Sequence, residues 1–442
     1  MINILINIFN KFKIEIFLGF LWVLSFASLN LNPEEVAKMS SAKVFRITIP
    51  LFFIIFYLCY NFKSEINFFH SNKLFNFYPF IFYILFASSF IFLSKNINSY
   101  LNIYWGILML GPFFYIYLFK NKINLLKTFL FLSLLLLFSL FTYYLFKIIN
   151  LFILNNKIIP LYGLPEFDYF KMDIGNVNSP RSSGLSRISI ILYISLVIYL
   201  ILNKAKKYFD AGIFLLSIII GGVGLTFQSR TMNFIFLFFS VLLTLIYFKK
   251  KNLVNRRYIL FLVIMPIILT NIYYYYLNNQ ISEKNVNLTE ISKSILLKNI
   301  IREKQEDFSS KRFELWNKTI EISKNNFFIG YGFQADRKLI KDSVHNVYLY
   351  SLICGGVISL LLIIFISLRS AWVSFIILIN FIFLKKNYNS LDLIPAFLIP
   401  LFLLRGILET SYAIYSIDYL FFIVCFFINE INFKKKTIYM KL

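Results

Sequence analysis

Residues 212–257 read GIFLLSIIIGGVGLTFQSRTMNFIFLFFSVLLTLIYFKKKNLVNRR, two apolar stretches joined by Gln228-Ser229-Arg230-Thr231 and closed by a run of Lys and Arg. A helix needs about 20 apolar residues to cross the hydrocarbon of a bilayer, and so short a joint leaves room only for a return. The stretch predicts two antiparallel membrane helices, over roughly 212–228 and 232–248, with a basic cluster on the side where the second one ends. The same test applied outward gives further spans at roughly 14–31, 44–62, 74–93, 100–119, 125–150, 188–203, 258–277 and 346–368.

Composition agrees with that reading. The 442 residues are 59% hydrophobic and 20% aromatic with a mean hydropathy of +0.71, which excludes an ordinary soluble protein. The net charge of +24 would suggest nucleic acid in a soluble chain, but here the cations mark topology. With the N-terminus inside, 22 of the 45 Lys and Arg fall on the inner side, 10 on short outer segments and 12 in one long outer loop, while Lys147 lies within a span. Nucleic-acid binding is therefore not implied. Met1–Lys13 followed by Ile14–Leu31 has the order of a signal peptide but no clear small-residue cleavage site, so it is read as a retained first helix. Cys59, Cys354 and Cys425 are scattered in or beside apolar runs and define neither a disulfide framework nor a metal site.

Beyond Arg369 three apolar runs follow, at 370–384, 391–409 and 413–431. Two crossings return the basic C-terminus to the inside. The expected architecture is therefore all-α and polytopic, with about twelve membrane helices and Trp372–Leu384 as a short or interfacial segment, thirteen helices being the alternative. Its parts are 1–154 with helices one to five, an outer loop at 155–187, helices six to nine at 188–277, a long outer loop at 278–345, and C-terminal helices at 346–442. The first loop, with Pro160, Gly163, Pro165, Gly175, Pro180 and Gly184, is turn-rich. The second holds 12 basic and 9 acidic residues and predicts two amphipathic helices, one through Leu288, Ile291, Ile295 and Ile300, the other from a Ser309 or Ser310 cap through Phe313, Trp316 and Ile320.

Polar residues that interrupt apolar runs collect at the outer ends of the spans. Arg181 and Arg187 precede the sixth span, Arg230 stands in the tight turn beside Ser229, Arg312 lies in the long loop, and His345-Asn346 closes it. A guanidinium offers a fixed fork of donors suited to phosphate oxygens, whereas the plain alternative for Arg230 is a cation that anchors a helix pair at the interface. His345 is one of two histidines, and an imidazole accepts a proton near neutral pH; its plain alternative is a polar residue at a helix start. Arg312 four residues before Trp316 also reads as a cation stacked on a ring. Arg405 and Glu409, one turn apart, read as an ion pair or as support for a site. Gly221, Gly222 and Gly224 predict close helix packing, and Gly355-Gly356 a bend. No Walker, GxGxxG, HExxH or Cys/His motif occurs.

Taken in order, Arg181-Ser-Ser-Gly184, Ser229-Arg230, Arg312-x-x-x-Trp316, Phe328-Ile-Gly330-Tyr-Gly332-Phe333, His345-Asn346-x-Tyr348-Leu349 and Gly355-Gly356 resemble the O-antigen ligase/polymerase superfamily, over roughly 175–360. The resemblance implies a bacterial inner-membrane glycosyltransferase of the GT-C type, without metal or other cofactor, acting at the periplasmic face on a glycan carried by undecaprenyl diphosphate. It gives Arg230 and Arg312, and with them Arg181, to the donor diphosphate and His345 to the acceptor hydroxyl as base; Arg187, Ser229, Asn346 and Glu409 would support them. The acceptor would be a lipid A core sugar for a ligase or another lipid-linked glycan for a polymerase, with a chain-length regulator as a further partner. A transporter of lipid-linked glycans is the contrasting reading, which favours ionisable groups at the membrane midplane over the outer rim.

Overall fold

The computed structural model describes residues 81–82, 85–86, 89, 109, 123–155, 182–202, 207–227, 229–249, 256–282, 312–384, 388–414 and 416–438. Every regular element among them is helical: α1 Ile123–Asn155, α2 Ser182–Leu202, α3 Lys207–Thr226, α4 Arg230–Lys249, α5 Arg256–Ser282, α6 Arg312–Lys324, α7 Ala335–Leu339, α8 Val347–Ile382, α9 Ser390–Leu408, a 3-10 turn Ser411–Ala413 and α10 Ile417–Ile438. Six helices among the described residues are long and apolar enough to cross a membrane, and a shorter apolar helix covers Asp210–Thr226. The first four expected spans lie almost wholly outside the described residues, as do the helix expected over 288–300 and the Ser309 and Ser310 caps. The chain divides into two compact units, one of residues 1–136 and 314–442, the other of 137–313.

In the second unit α3 packs against α2 and α5. Lipid tails are as apolar as leucine, so helices associate in a bilayer by close packing and buried hydrogen bonds rather than by escape from water. The glycines of α3 supply the closeness: a Cβ on Gly221 would stand 2.9 Å from the Tyr193 ring, and one on Gly224 2.8 Å from Ser189 Cβ. The hydrogen bonds close the end of the helix. The last carbonyls of a helix have no partner within it, and here Thr226 Oγ1 donates to Val223 O (2.7 Å), Ser186 Oγ to Gly224 O (3.0 Å) and Tyr274 Oη to Thr226 O (2.7 Å). Tyr193, fully buried, donates to Leu262 O at 2.6 Å and so ties α2 to α5.

One boundary in this unit differs from the expected one. Helix α2 begins at Ser182, so Arg187 is a buried residue inside the helix rather than part of a loop ending at 187. The apolar run starts only at Ile188, but the preceding Ser186 is fully buried, and serine forms helix readily where neighbouring helices bury it.

The other unit is built on α8, α9 and α10. Helix α8 continues to Ile382, where a stop near Arg369 and a separate segment at Trp372–Leu384 were expected. The cation does not end the helix because Glu430 of α10, fully buried, takes it in two bonds, Arg369 Nε at 2.7 Å and Nη2 at 3.1 Å, with the Phe433 ring 5.3 Å below the guanidinium. A paired cation is tolerated inside a helical bundle. Nearer the start of the same helix Gly356 leaves helical geometry at φ 68° and ψ −167°, which is the bend expected at Gly355-Gly356. From 357 to 382 the helix is still longer than the about 20 residues a crossing requires.

The connection between α9 and α10 is held tightly. Arg405 Nε lies 3.2 Å from Asp418 Oδ2, and Ser411 Oγ donates to the same oxygen at 2.8 Å. Tyr412 lies against Gly406, stacks on Phe422 with centroids 4.3 Å apart, and shares a 2.8 Å hydrogen bond with Ser367. The expected Arg405–Glu409 pair is thus replaced: Arg405 turns to Asp418 on the next helix, and Glu409, the C-cap of α9, is left to face elsewhere.

Candidate active site around His345

Between α6 and α8 the chain makes two turns. The first, Asn325–Gly332, seats itself in the break of α8: Val357 N donates to Phe327 O (2.8 Å), Tyr331 N to Ile353 O (2.9 Å) and Gly332 N to Cys354 O (2.7 Å). The carbonyls that a helix break exposes are thereby satisfied by another piece of backbone. The glycines of the Gly330-Tyr-Gly332 motif and Gly356 thus meet at one joint.

The second turn carries His345, whose φ of 51° is in the left-handed region that costs a non-glycine residue about 1–2 kcal/mol. Its neighbours hold it there. Trp316 Nε1 donates to Val344 O at 2.9 Å, so the tryptophan of the Arg312-x-x-x-Trp316 pattern serves the histidine turn. The Val344 amide donates to Asp336 Oδ2 at 3.4 Å. On the other side Asn346 is the N-cap of α8, accepting from Tyr348 N (2.9 Å) and Leu349 N (3.0 Å), while its Nδ2 donates to Ile407 O (2.9 Å) near the end of α9. Burial pushes the Asp336 carboxyl above the ordinary carboxylate range, against the opposing pull of the Arg337 amide and guanidinium, the Val344 amide and His345.

Glu409 faces the imidazole. His345 Nδ1 and Glu409 Oε2 are 2.8 Å apart, with side chains 35% and 26% exposed. An ionised carboxylate only accepts, so Nδ1 carries the proton and the Nε2 lone pair is free to take another. Beside the pair an open groove of about 400 Å³ is lined by Tyr348, Ile364, Leu368, Leu404 and Ile407. Ile407 belongs to both features, since its carbonyl anchors Asn346.

Of the residues expected at the site, the structure brings His345, Asn346 and Glu409 together within one unit. Arg187, Ser229, Arg230 and Arg312 belong to the other unit, and Arg181 is outside the described residues. Arg230 is the first residue of α4, following Ser229, whose carbonyl accepts from Asn233 N at 2.9 Å; Arg312 is the first residue of α6. Sequence reasoning missed Asp336, an isolated acid in a polar segment with nothing to distinguish it. The indole N–H bond of Trp316 to the histidine turn adds to the stacking with Arg312 expected of that residue, and no local sequence signal marks it.

Comparison with known families places a boundary around these elements. Residues 215–364, from within α3 to beyond the break in α8, match the family model for O-antigen ligase, and the match takes in Arg230, Arg312 and His345. No curated protein matches the chain. Residues 215–364 thus resemble an O-antigen ligase domain, a match over about a third of this multi-pass membrane protein that supports the O-antigen ligase/polymerase superfamily.

Proposed function

We propose that the protein is an inverting, metal-independent glycosyltransferase of the bacterial inner membrane, which moves a glycan from undecaprenyl diphosphate to a hydroxyl of a lipid A core sugar at the periplasmic face. The observation that carries this reading is the His345–Glu409 pair beside an apolar groove, its histidine near the end of the segment that matches O-antigen ligase and its carboxylate beyond it. His345 Nε2 takes the proton of the acceptor hydroxyl as that oxygen bonds to the anomeric carbon, and Glu409 balances the imidazolium that forms. The bond from the anomeric carbon to the diphosphate oxygen breaks, and its electron pair leaves with the lipid diphosphate. Attack opposite the leaving group inverts the carbon.

Arg230 and Arg312 are assigned to the leaving diphosphate on the chemistry of the guanidinium and their place in the matched segment, not on any distance, and Arg181, which precedes that segment, on its chemistry alone; Ser229 and Arg187 would support them. A polymerase uses the same donor and extends another lipid-linked glycan instead, with a chain-length regulator as its partner. Loss of a ligase leaves long lipid-linked polymer, and loss of a polymerase leaves single repeats.

The deciding experiment is transfer in vitro by purified protein from a lipid-diphosphate glycan to defined acceptors, with and without chelator. New glycosidic product that persists in chelator is expected. A protein that carries the donor across vesicles without forming a bond would overturn the proposal in favour of transport. In the same assay Arg230→Lys is expected to lower turnover about ten-fold or more although charge is kept, because Lys lacks the two-pronged fork. A wild-type rate would reduce Arg230 to an interfacial anchor.

The groove gives a separate expectation. If it receives the lipid tail, Leu404→Trp should fill it and raise KM for a full-length lipid donor several-fold, with little change for a donor of one or two isoprene units. Equal effects on both donors would remove the groove from the donor site.

A further inference from the structure

The segment Lys324-Asn-Asn-Phe327-Phe328-Ile329-Gly330 lies outside every candidate membrane span, yet its three central side chains are exposed: Phe327 44%, Phe328 70% and Ile329 38%. Three successive large apolar residues at a loop tip are a poor arrangement for water, and such a patch marks a contact with something apolar. The tip is also rigid in its setting. Gly330 N donates to Asn326 O at 3.0 Å, the Asn326 side-chain amide donates to Gly330 O, and Phe327 O accepts from Val357 N. Backbone groups closed in this way can leave water at low cost.

What covers the tip follows from where it is pinned. Val357 is the residue at which α8 resumes after its break, and from there Ile358, Leu361, Phe365 and Leu368 are exposed at 39, 60, 37 and 66%. Their spacing of three and four residues makes one apolar stripe along a helix long enough to cross the bilayer. Phe365 also packs on the Phe82 ring, with centroids 4.3 Å apart, and Leu368 borders the groove, so Ile358 and Leu361, next to the joint, are the part of the stripe that faces lipid. The tip is bonded to Val357, one residue before that stripe begins, so its exposed side chains stand at the stripe's end. Exposed Lys324, just before the tip, is the kind of residue that snorkels to headgroup phosphates.

We propose that Phe327-Phe328-Ile329 is a membrane-inserted wedge, with its side chains in the hydrocarbon edge of the bilayer and Lys324 at headgroup level. The wedge reaches the His345 turn through the same joint, since Tyr331 and Gly332 are bonded to Ile353 and Cys354 in the helix that Asn346 caps. Insertion of the tip thereby fixes the height of His345 above the hydrocarbon. A substrate whose reactive end is tethered to a lipid arrives at a fixed height too. The insertion itself does not depend on the transferase reading.

The test is a nitroxide at position 328. Full-length Phe328→Cys in a Cys59→Ser background is spin-labelled, Cys354 and Cys425 being buried, and reconstituted in phosphatidylethanolamine/phosphatidylglycerol vesicles. Collision with oxygen, which concentrates in hydrocarbon, is compared with collision with a water-soluble nickel chelate. Labels at Lys324→Cys and Leu361→Cys give the aqueous and bilayer references. The expected result is an oxygen-to-nickel ratio at 328 close to that at 361 and several-fold above that at 324. A ratio like that at 324 would overturn the wedge, and shielding from both reagents would overturn it in favour of a protein partner or a second copy. Phe327→Cys gives an independent reading if the first variant is poorly made.

Discussion

Gly356→Ala is expected to cost the protein about 3–5 kcal/mol of stability, enough to abolish recovery of folded protein or to lower its melting temperature by many degrees. Two terms add. The conformation at φ 68° and ψ −167° is one that essentially only glycine adopts, at a cost of about 1–3 kcal/mol for any other residue. The new Cβ would also stand 2.2 Å from Phe328 O and 2.5 Å from Ile329 N, and neither can give way as the end of a side chain would. Such overpacking costs about 1–3 kcal/mol or more. Gly330 is the other half of the joint, at φ 65° with its would-be Cβ 2.5 Å from Cys354 C and Gly356 N, so Gly330→Ala should behave alike. Gly212→Ala is the control, because no atom lies within 4 Å of its Cβ position in helix α3; it should be neutral or slightly stabilising. Thermal unfolding in detergent checks the set. A Gly356→Ala melting temperature within a few degrees of wild type would mean that the joint is not needed for the fold.

The same joint shows where sequence reasoning succeeds and where it stops. A bilayer obliges any segment facing lipid to be apolar along its whole length, so the runs at 232–248, 258–277 and 391–409 correspond to α4, α5 and α9 with modest boundary errors. The break at Gly355-Gly356 and the turn at Gly330-Tyr-Gly332 are each readable from local preferences. That they interlock is not, because nothing in either glycine's neighbourhood specifies the other. Charges behave similarly. Arg369 resembles a loop cation until Glu430, 61 residues away, is seen to pair with it. Arg405 and Glu409 resemble a local pair by helical spacing, but each finds its partner on a different element. His345 and Glu409 were both visible as candidates, whereas their pairing across 64 residues is a tertiary fact.

That pairing supports the largest expected effect on activity. His345→Ala should reduce kcat for glycan transfer by about 10²–10⁴, the range for a positioned general base, with only small changes in KM. Glu409→Ala should reduce kcat about ten-fold or more by a different route: the imidazole loses the acceptor that keeps the proton on Nδ1 and the charge that balances the imidazolium. Glu409→Gln should fall between wild type and alanine, since its carbonyl can still accept from Nδ1 but carries no charge. A structural explanation would make different demands. Half-exposed ion pairs contribute only about 0–1 kcal/mol, so all three variants should melt near wild type while differing widely in turnover. Steady-state transfer at saturating donor and acceptor, with melting measured on the same preparations, separates the two accounts. Undiminished transfer by folded His345→Ala would remove the base from the mechanism. Undiminished transfer by Glu409→Ala alongside an inactive His345→Ala would leave the base in place and show that the left-handed turn, held by Trp316 and Asn346, orients the imidazole without help from the carboxylate.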